Sequence, residues 1–368
     1  MKTQILQENF NKALSAASRF ANAKAQLPVL GNILLRTQKN KLYICSTNLE
    51  ISYSTSIGAQ IEEEGDITVP ARQLTEIVNN LISGAINLKV EKEQLKIESQ
   101  GSKLNILGMN ASDFPPIPTK IDIKTASSLP KNELQEALSQ VIFSSSIDET
   151  RPVLTGVLFL FKKNETIIVA TDGFRLSQKK IKGCNVNDVS RLIIPKSILL
   201  EISKYSGEES DLNFNFKEND NQISFAMGDT VLSSRTIEGQ YPDFEKIMPK
   251  ETNITIETDK EEMLRAVKLA SVFARDSANI VKFIVKKDKV TLTAESSRAG
   301  DQKTDVDAKI EGGEIEIAFN YKFLEDFLHS VKGESVKICL SNPNAPGLFT
   351  DVNDPAYLHL IMPVRIQS

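Results

Sequence analysis

The sequence predicts an α+β fold of three repeated modules, each with two helices packed on antiparallel sheet, and three observations predict it. A segment recurs at a spacing of 124 residues: LPVLGNILLRTQKNKLYICSTNLEISYS (27–54) lies without a gap over RPVLTGVLFLFKKNETIIVATDGFRLSQ (151–178). Eight of the 28 positions are identical, among them Pro28/Pro152, Val29/Val153, Leu30/Leu154, Asn40/Asn164 and Thr47/Thr171, where about two matches arise by chance. The offset also carries Ala13-Leu14-Ser15 onto Ala137-Leu138-Ser139, and doubled it carries Lys39-Asn40-Lys41 onto Lys287-Asp288-Lys289. Finally, 368 residues exceed the size at which one hydrophobic core keeps growing. Pro-rich, polar linkers at Phe114 to Ser128 and at Met248-Pro249-Lys250 place the modules at 1–124, 125–250 and 251–368.

Each module is expected to open with an amphipathic helix. Leu6, Phe10, Leu14 and Ala17 form an apolar stripe in the first, with Lys12 and Arg19 off it. In the second, Pro130 starts the helix and Leu134, Leu138, Val141 and Ile142 make the stripe. The third runs from about Asp259 to Ala274, with Met263, Ala266, Val267, Ala270 and Val272 apolar. A hairpin follows each helix, from short strands flanking a polar turn: 32–37 with 42–47, 156–161 with 166–170, and 281–285 with 289–294.

A strand then runs into a second helix in similar phrases: ITVPARQLTEIVNNL (67–81), LIIPKSILLEISKYS (192–206) and IEIAFNYKFLEDFLHSV (315–331). Pro70 and Pro195 suit the first turn, where a missing N–H costs nothing. Asn80, Gly84, Gly207 and Gly333 suit the helix ends. Two or three further strands close each copy, at 86–90, 94–98 and 103–109, at 212–216, 222–225 and 231–236, and at 336–340, 347–351 and 357–362.

With 40% hydrophobic and 25% charged residues, the composition is that of a soluble globular protein. No apolar run reaches the roughly 18 to 20 residues that span a bilayer, and MKTQILQENFNK lacks a signal-peptide stretch, so a cytoplasmic location and no membrane partner are expected. Cys45, Cys184 and Cys339 show no C-x-x-C spacing, which leaves buried free thiols and no metal site. The net charge of −4, from 44 basic and 48 acidic residues, gives no hint of a polyanion partner.

Catalytic motifs are missing. His329 and His359 are far apart in sequence, and no P-loop, dinucleotide-binding, zinc-protease or nucleophile-elbow motif occurs. The sharpest local phrase is Ala170-Thr171-Asp172-Gly173-Phe174-Arg175-Leu176. A hydrolase or transferase would use Asp172 as an acid with Arg175 beside it. The plainer account is a turn at Asp-Gly with a solvated or paired arginine, and the first copy holds Thr47-Asn48-Leu49-Glu50 there. No catalytic residue and no cofactor is therefore expected.

One binding signal remains. Lys12, Arg19, Lys24, Arg72, Lys196, Lys204, Arg265, Lys268, Arg275, Lys322 and Lys332 lie on or beside the six helices. If those helices face one way around a ring, modest charge on each sums to a strong local field even in an acidic chain.

The phrases LPVLGNILL, TVPARQLTEI, ASDFPP, RPVLTGVLF, VATDGFRLS, IEGQYPDFEKIMP and YLHLIMPVRI closely resemble the bacterial DNA polymerase III β subunit family, the replicative sliding clamps, from Met1 to Ile366. The resemblance implies three DNA-clamp domains per chain and a head-to-tail homodimer closing a six-domain ring around double-stranded DNA, without sequence preference. It also implies a processivity factor with no active site of its own. Its partners would be the DNA polymerase III α subunit, the clamp loader and other proteins that carry a short clamp-binding motif.

By the same resemblance Lys24 and Arg72 match DNA-contacting positions, and Arg19 and Lys196, from the basic residues on or beside the helices, are expected to join them in facing DNA. The partner-peptide cleft would be lined by Leu154, Thr171, Gly173, Phe174, Arg175, Leu176, Pro242, Ile247, Leu360, Met362, Pro363, Val364 and Arg365. Phe174 stands where the family often has histidine, and Val364 where it has methionine. The subunit seam would set Leu104 and Ile106 of one chain against Val272 and Phe273 of the other.

Overall fold

The computed structural model describes residues 1–22, 26–187, 189–249 and 251–365. It divides into two compact units. The first comprises Met1–Lys131, Asn185–Asn187 and Tyr205–Thr236, and the second comprises Asn132–Cys184, Asp188–Lys204 and Ile237–Ser368. The central repeat is thus shared between them.

In the first unit a five-stranded antiparallel sheet runs in the order Gln60–Glu63, Lys2–Leu6, Ala85–Glu91, Gln94–Ser99, Ser102–Leu107. Buried Ile86, Leu88, Leu95 and Ile97 alternate with outward residues, the period-2 signature of a sheet with one covered face. Helices α1 (Gln7–Ala17) and α2 (Ala71–Asn79) pack together. Phe10, Leu14, Ala17, Leu74 and Val78 are buried, and Gln7 Nε2 donates to the Val78 carbonyl at 2.7 Å. An eight-stranded sheet follows the order Ser127–Pro130, Asp211–Lys217, Gln222–Met227, Thr230–Arg235, Ile51–Gly58, Lys41–Thr47, Asn32–Gln38, Gly65–Pro70. Strands of the first and second repeats therefore share one sheet, joined where Ile51–Gly58 meets Thr230–Arg235.

The second unit repeats this plan. Its nine-stranded sheet runs Arg191–Pro195, Gly156–Phe161, Glu165–Thr171, Arg175–Lys182, Asp354–Ile361, Gly347–Asp351, Ser335–Leu340, Ile254–Asp259, Lys309–Glu311. The second and third repeats join where Arg175–Lys182 pairs with Asp354–Ile361. A four-stranded sheet runs Gly300–Asp307, Lys289–Ser296, Ile280–Lys286, Ile315–Asn320. Its helices are α3 (Lys131–Val141, with Lys131 itself in the first unit), the single turn α4 (Pro152–Thr155), α5 (Lys196–Ser203), α6 (Lys260–Ala274) and α7 (Tyr321–Ser330). The α6 N-terminus is capped by Asp259, which accepts from the Glu262 N–H at 2.8 Å. Phe283, Phe319, Phe349 and Phe327 form an edge-to-face and tilted aromatic chain with centroids 5.5 to 5.6 Å apart.

The repeat is visible in the elements, since α1 begins at residue 7 and α3 at residue 131. Four expectations need correction. Each module opens with a short strand before its first helix: Lys2–Leu6, Ser127–Pro130 and Ile254–Asp259. Four to six residues of alternation are too short to stand out beside the helical stripe that follows. Pro130 is accordingly the last strand residue, and α3 begins after it. Pro70 and Pro195 likewise end their strands at the N-cap, one residue before the helix. Leu6 and Val272 lie off their stripes and are half exposed. Among the described residues no helix is long and apolar enough to cross a membrane, and no cluster of potential metal ligands occurs.

Candidate partner-binding site

The phrase that drew a catalytic reading is a turn. Asp172 Oδ1 accepts from the backbone N–H groups of Phe174 (2.9 Å) and Arg175 (3.0 Å). Thr171 Oγ1 accepts from Gly173 N–H at 3.0 Å and donates to the Arg175 carbonyl at 2.6 Å. Gly173 sits at φ +92°, a conformation that favours glycine. Both side chains thereby hold the backbone of the turn.

The first repeat builds the same turn. Asn48 Oδ1 accepts from Glu50 N–H (3.1 Å) and Ile51 N–H (2.8 Å). Thr47 Oγ1 accepts from Leu49 N–H and donates to the Ile51 carbonyl, both at 3.0 Å. Leu49 occupies the glycine position at φ 74°.

Around the second turn, Leu154, Leu176 and Leu360 are buried in one cluster with Tyr241 and Phe244. Leu176 and Leu360 are cross-strand partners. On the segments that supply this floor three large apolar side chains stay in solvent: Phe174 at 62% exposure, Ile247 at 41% and Met362 at 37%. The C-terminal segment is held beside the turn by Met362 N–H donating to the Phe174 carbonyl at 2.9 Å, and then by Val364 N–H donating to the Ala318 carbonyl at 2.8 Å. Pro242, Gly173 and Arg365 are exposed, Pro363 and Val364 are half-buried, and Thr171 is buried. A buried apolar floor under an exposed apolar rim fits a short extended peptide with apolar anchors.

Sequence reasoning missed Tyr241 and Phe244. Both stand in the quoted IEGQYPDFEKIMP, where aromatic residues three apart gave a readable signal of packing. Burial holds the Tyr241 phenol in its neutral form. Arg175 was expected in the cleft wall, but its side chain is only 11% exposed. Nε donates to Asp172 at 3.1 Å, Nη1 to Asp326 on α7 at 2.5 Å, and Nη2 to the Phe143 carbonyl at 2.8 Å.

The basic residues fall into separate groups. Arg72 is the second residue of α2, with its side chain 88% exposed and its Nε 2.8 Å from Glu76. It borders a depression of about 480 Å³ with Ser18, Ala21 and Gly31. Arg19 follows α1, also at the surface. Lys24 lies outside the described residues. Lys196 belongs to the second unit and is half-buried. Burial first, then Arg175, disfavours its charged form, while Asp326 favours it. Its electrostatic neighbours are thus the turn and α7.

The expected subunit-seam residues lie near two open sheet edges. Ser102–Leu107 pairs only with Gln94–Ser99 among the described residues, and Gly300–Asp307 only with Lys289–Ser296. Leu104 and Ile106, with Gln73, Ile77 and Leu81 of the α2 region, line a depression of about 670 Å³. Val272 is half exposed, and Phe273 packs partly buried against the core of the second unit.

Comparison with known proteins covers nearly the whole chain. Three family models match in order: the N-terminal domain of the DNA polymerase III beta subunit over residues 1–118, the central domain over 128–243 and the C-terminal domain over 245–365. A beta sliding clamp from Synechocystis is 30% identical over 391 aligned positions, with both chains fully covered. One from Staphylococcus aureus is 29% identical over 377 positions, covering 99% of each. Among solved structures, the DNA polymerase sliding clamp of Bacillus subtilis superposes with a TM-score of 0.94 at 27% identity, covering 100% of both chains. The beta sliding clamp of C. crescentus gives 0.92 at 26%, covering 100% of this chain and 99% of that one. The unbroken order of the three domain models, the repeated module and the duplicated turn lead to one conclusion: the chain belongs to the DNA polymerase III β subunit family, the β sliding clamps.

Proposed function

We propose that this chain, a DNA sliding clamp by family, works as a closed ring of two copies joined head to tail, with modules at 1–124, 125–250 and 251–368. The supporting observation is the pair of open edges, Ser102–Leu107 in the first module and Gly300–Asp307 in the third. An exposed edge strand is a template for pairing with another chain. When the two edges differ, the contact is heterologous and forms a ring if the rotation closes. Leu104 and Ile106 would then meet Val272 and Phe273 of a second copy.

The ring acts by topology. A polymerase tethered to it cannot diffuse from the template, so its effective concentration at the primer end stays high and synthesis becomes processive without any active site in the clamp. Lysines and arginines facing the duplex, with Lys24, Arg19, Arg72 and Lys196 in that role, would contact phosphates without reading bases and so permit sliding. The polymerase III α subunit, the clamp loader and other motif-bearing proteins would dock in turn on the apolar rim of Phe174, Ile247 and Met362. The setting is the cytoplasm, beside the replicating chromosome.

The test is retention on DNA. Loaded onto nicked circular DNA by a clamp loader and ATP, the protein stays bound until the circle is linearised and then leaves within minutes. Retention that ignores linearisation, or a single-chain mass by light scattering at micromolar concentration, would overturn the ring.

A further inference from the structure

We propose that Arg175 is a positioning residue: it ties the cleft turn to helix α7 through Asp326, so that a group outside the cleft sets the shape of the partner-binding rim. The inference rests on the cleft reading above.

A guanidinium offers its donors in a rigid fork. In Arg175 that fork is spent on three acceptors from three segments: Asp172 in the turn, the Phe143 carbonyl beyond α3, and Asp326 on α7. Its Cζ lies 5.3 Å from the centroid of the Phe143 ring and 4.6 Å from that of Phe323, so the cation is stacked as well as paired. Each of the three nitrogens thus has an acceptor outside the rim.

The first repeat supplies the control. There Ile51 stands in place of Arg175, and the turn closes with the same pattern of hydrogen bonds. An arginine is therefore not needed to make the turn. What it adds in the second repeat is attachment to α7 and to Phe143. The attached turn presents Phe174 and supplies the carbonyl that receives Met362 N–H. Asp326 is partly exposed, lies 151 residues from Arg175 in the chain and takes no place in the rim. Loss of its carboxylate would free one arm of the fork and let the turn drift from Met362.

The experiment uses the full-length dimer and measures affinity for the cognate polymerase III α subunit, together with exchange of the Met362 amide. Asp326→Asn is expected to weaken α-subunit binding about tenfold, the effect of one charge-assisted hydrogen bond, and to speed Met362 exchange at unchanged dimer mass. Asp326→Glu, which keeps the carboxylate, is expected to bind better than Asp326→Asn. Arg175→Lys, which cannot reach all three acceptors, behaves like Asp326→Asn and serves if that variant folds poorly. Met362→Asp tests the cleft itself. If Met362→Asp abolishes binding while Asp326→Asn and Arg175→Lys bind normally, the tie is overturned. If Met362→Asp binds normally, the cleft reading fails, and unchanged Met362 exchange in Asp326→Asn overturns the tie independently.

Discussion

The two seams between repeats have one backbone and two chemistries. In the first, Ile51, Ser52, Tyr53, Ser54 and Thr55 pair with Ser234, Ser233, Leu232, Val231 and Thr230. In the second, Arg175, Leu176, Ser177, Gln178 and Lys179 pair with Ile361, Leu360, His359, Leu358 and Tyr357. The register is the same, yet the floor is Ser52/Ser233 in one and Leu176/Leu360 in the other. Hydroxyls bind the first seam, as where Thr230 Oγ1 donates to Thr55 at 2.9 Å. A buried lysine with half-buried carboxylates binds the second: Lys179 bridges Asp354 and Glu136, and Gln140 Nε2 donates to the same Asp354 oxygen at 3.1 Å. Lys332, 2.8 Å from Glu136, is the main cause holding that carboxyl below its usual range. The two repeats share the scaffold, and their side chains set a serine pair at one seam where the other has a leucine pair.

The most forceful way to break this contrast is to copy the first floor into the second. Leu360 is 1% exposed, so Leu360→Ser leaves a cavity and adds a hydroxyl without a partner. The expected loss is about 3 to 5 kcal/mol in urea unfolding. In the first seam Ser233 is buried with its hydroxyl unpartnered, and Ser233→Ala is expected to be neutral or slightly stabilising. Equal effects of the two changes would mean that the floors are interchangeable.

A smaller effect separates the seams by pH. His359 is fully buried, its Nδ1 2.7 Å from Ser177 Oγ and its Nε2 without a partner. Burial, then Arg175, pushes its pKa well below 6.5. The folded chain thus keeps His359 neutral while the unfolded chain protonates it near pH 6.5. Stability is full above that pH and falls below it, by up to about 1.4 kcal/mol per pH unit from this group. Leu232 holds the equivalent place in the first seam, so His359→Leu copies it. The variant is expected to flatten the stability profile between pH 6.5 and 5. An unchanged slope would assign acid sensitivity to other groups.

How much of this could be read in the sequence depends on distance along the chain. Hairpins such as Asn32–Gln38 with Lys41–Thr47 declare themselves through a local turn, and the helices through stripes such as Phe10, Leu14 and Ala17. The seams join strands more than 170 residues apart in sequence, as between Thr55 and Thr230, and no periodicity encodes that pairing. Most of the rim was named through family resemblance. Arg175 shows the limit: the phrase read as a turn with a solvated or paired arginine, and the resemblance set that arginine in the cleft lining, but no local pattern links it to its partners Phe143, Phe323 and Asp326. Lys196 shows the same limit. Its position on a polar helix face was legible, its burial near Arg175 was not.

The smallest difference concerns the turns themselves. Leu49 is a 54% exposed leucine at φ 74°, where the second turn has Gly173 at φ +92°. A left-handed conformation costs an L-residue roughly 1 to 2 kcal/mol, whereas glycine loses roughly 0.5 to 1 kcal/mol through its freer unfolded chain. Leu49→Gly should therefore stabilise the first turn by about 0.5 kcal/mol. Gly173→Leu should destabilise the second by about 1 to 2 kcal/mol, because a Cβ there also meets Arg151 Nη1 at 3.3 Å. Paired urea midpoints measure both. Opposite signs would show that the turns share one backbone energy surface and that the leucine is a tolerated strain. A neutral Gly173→Leu would mean that the second turn relaxes its backbone, and that its tie to α7 leaves more freedom than the fork of Arg175 implies.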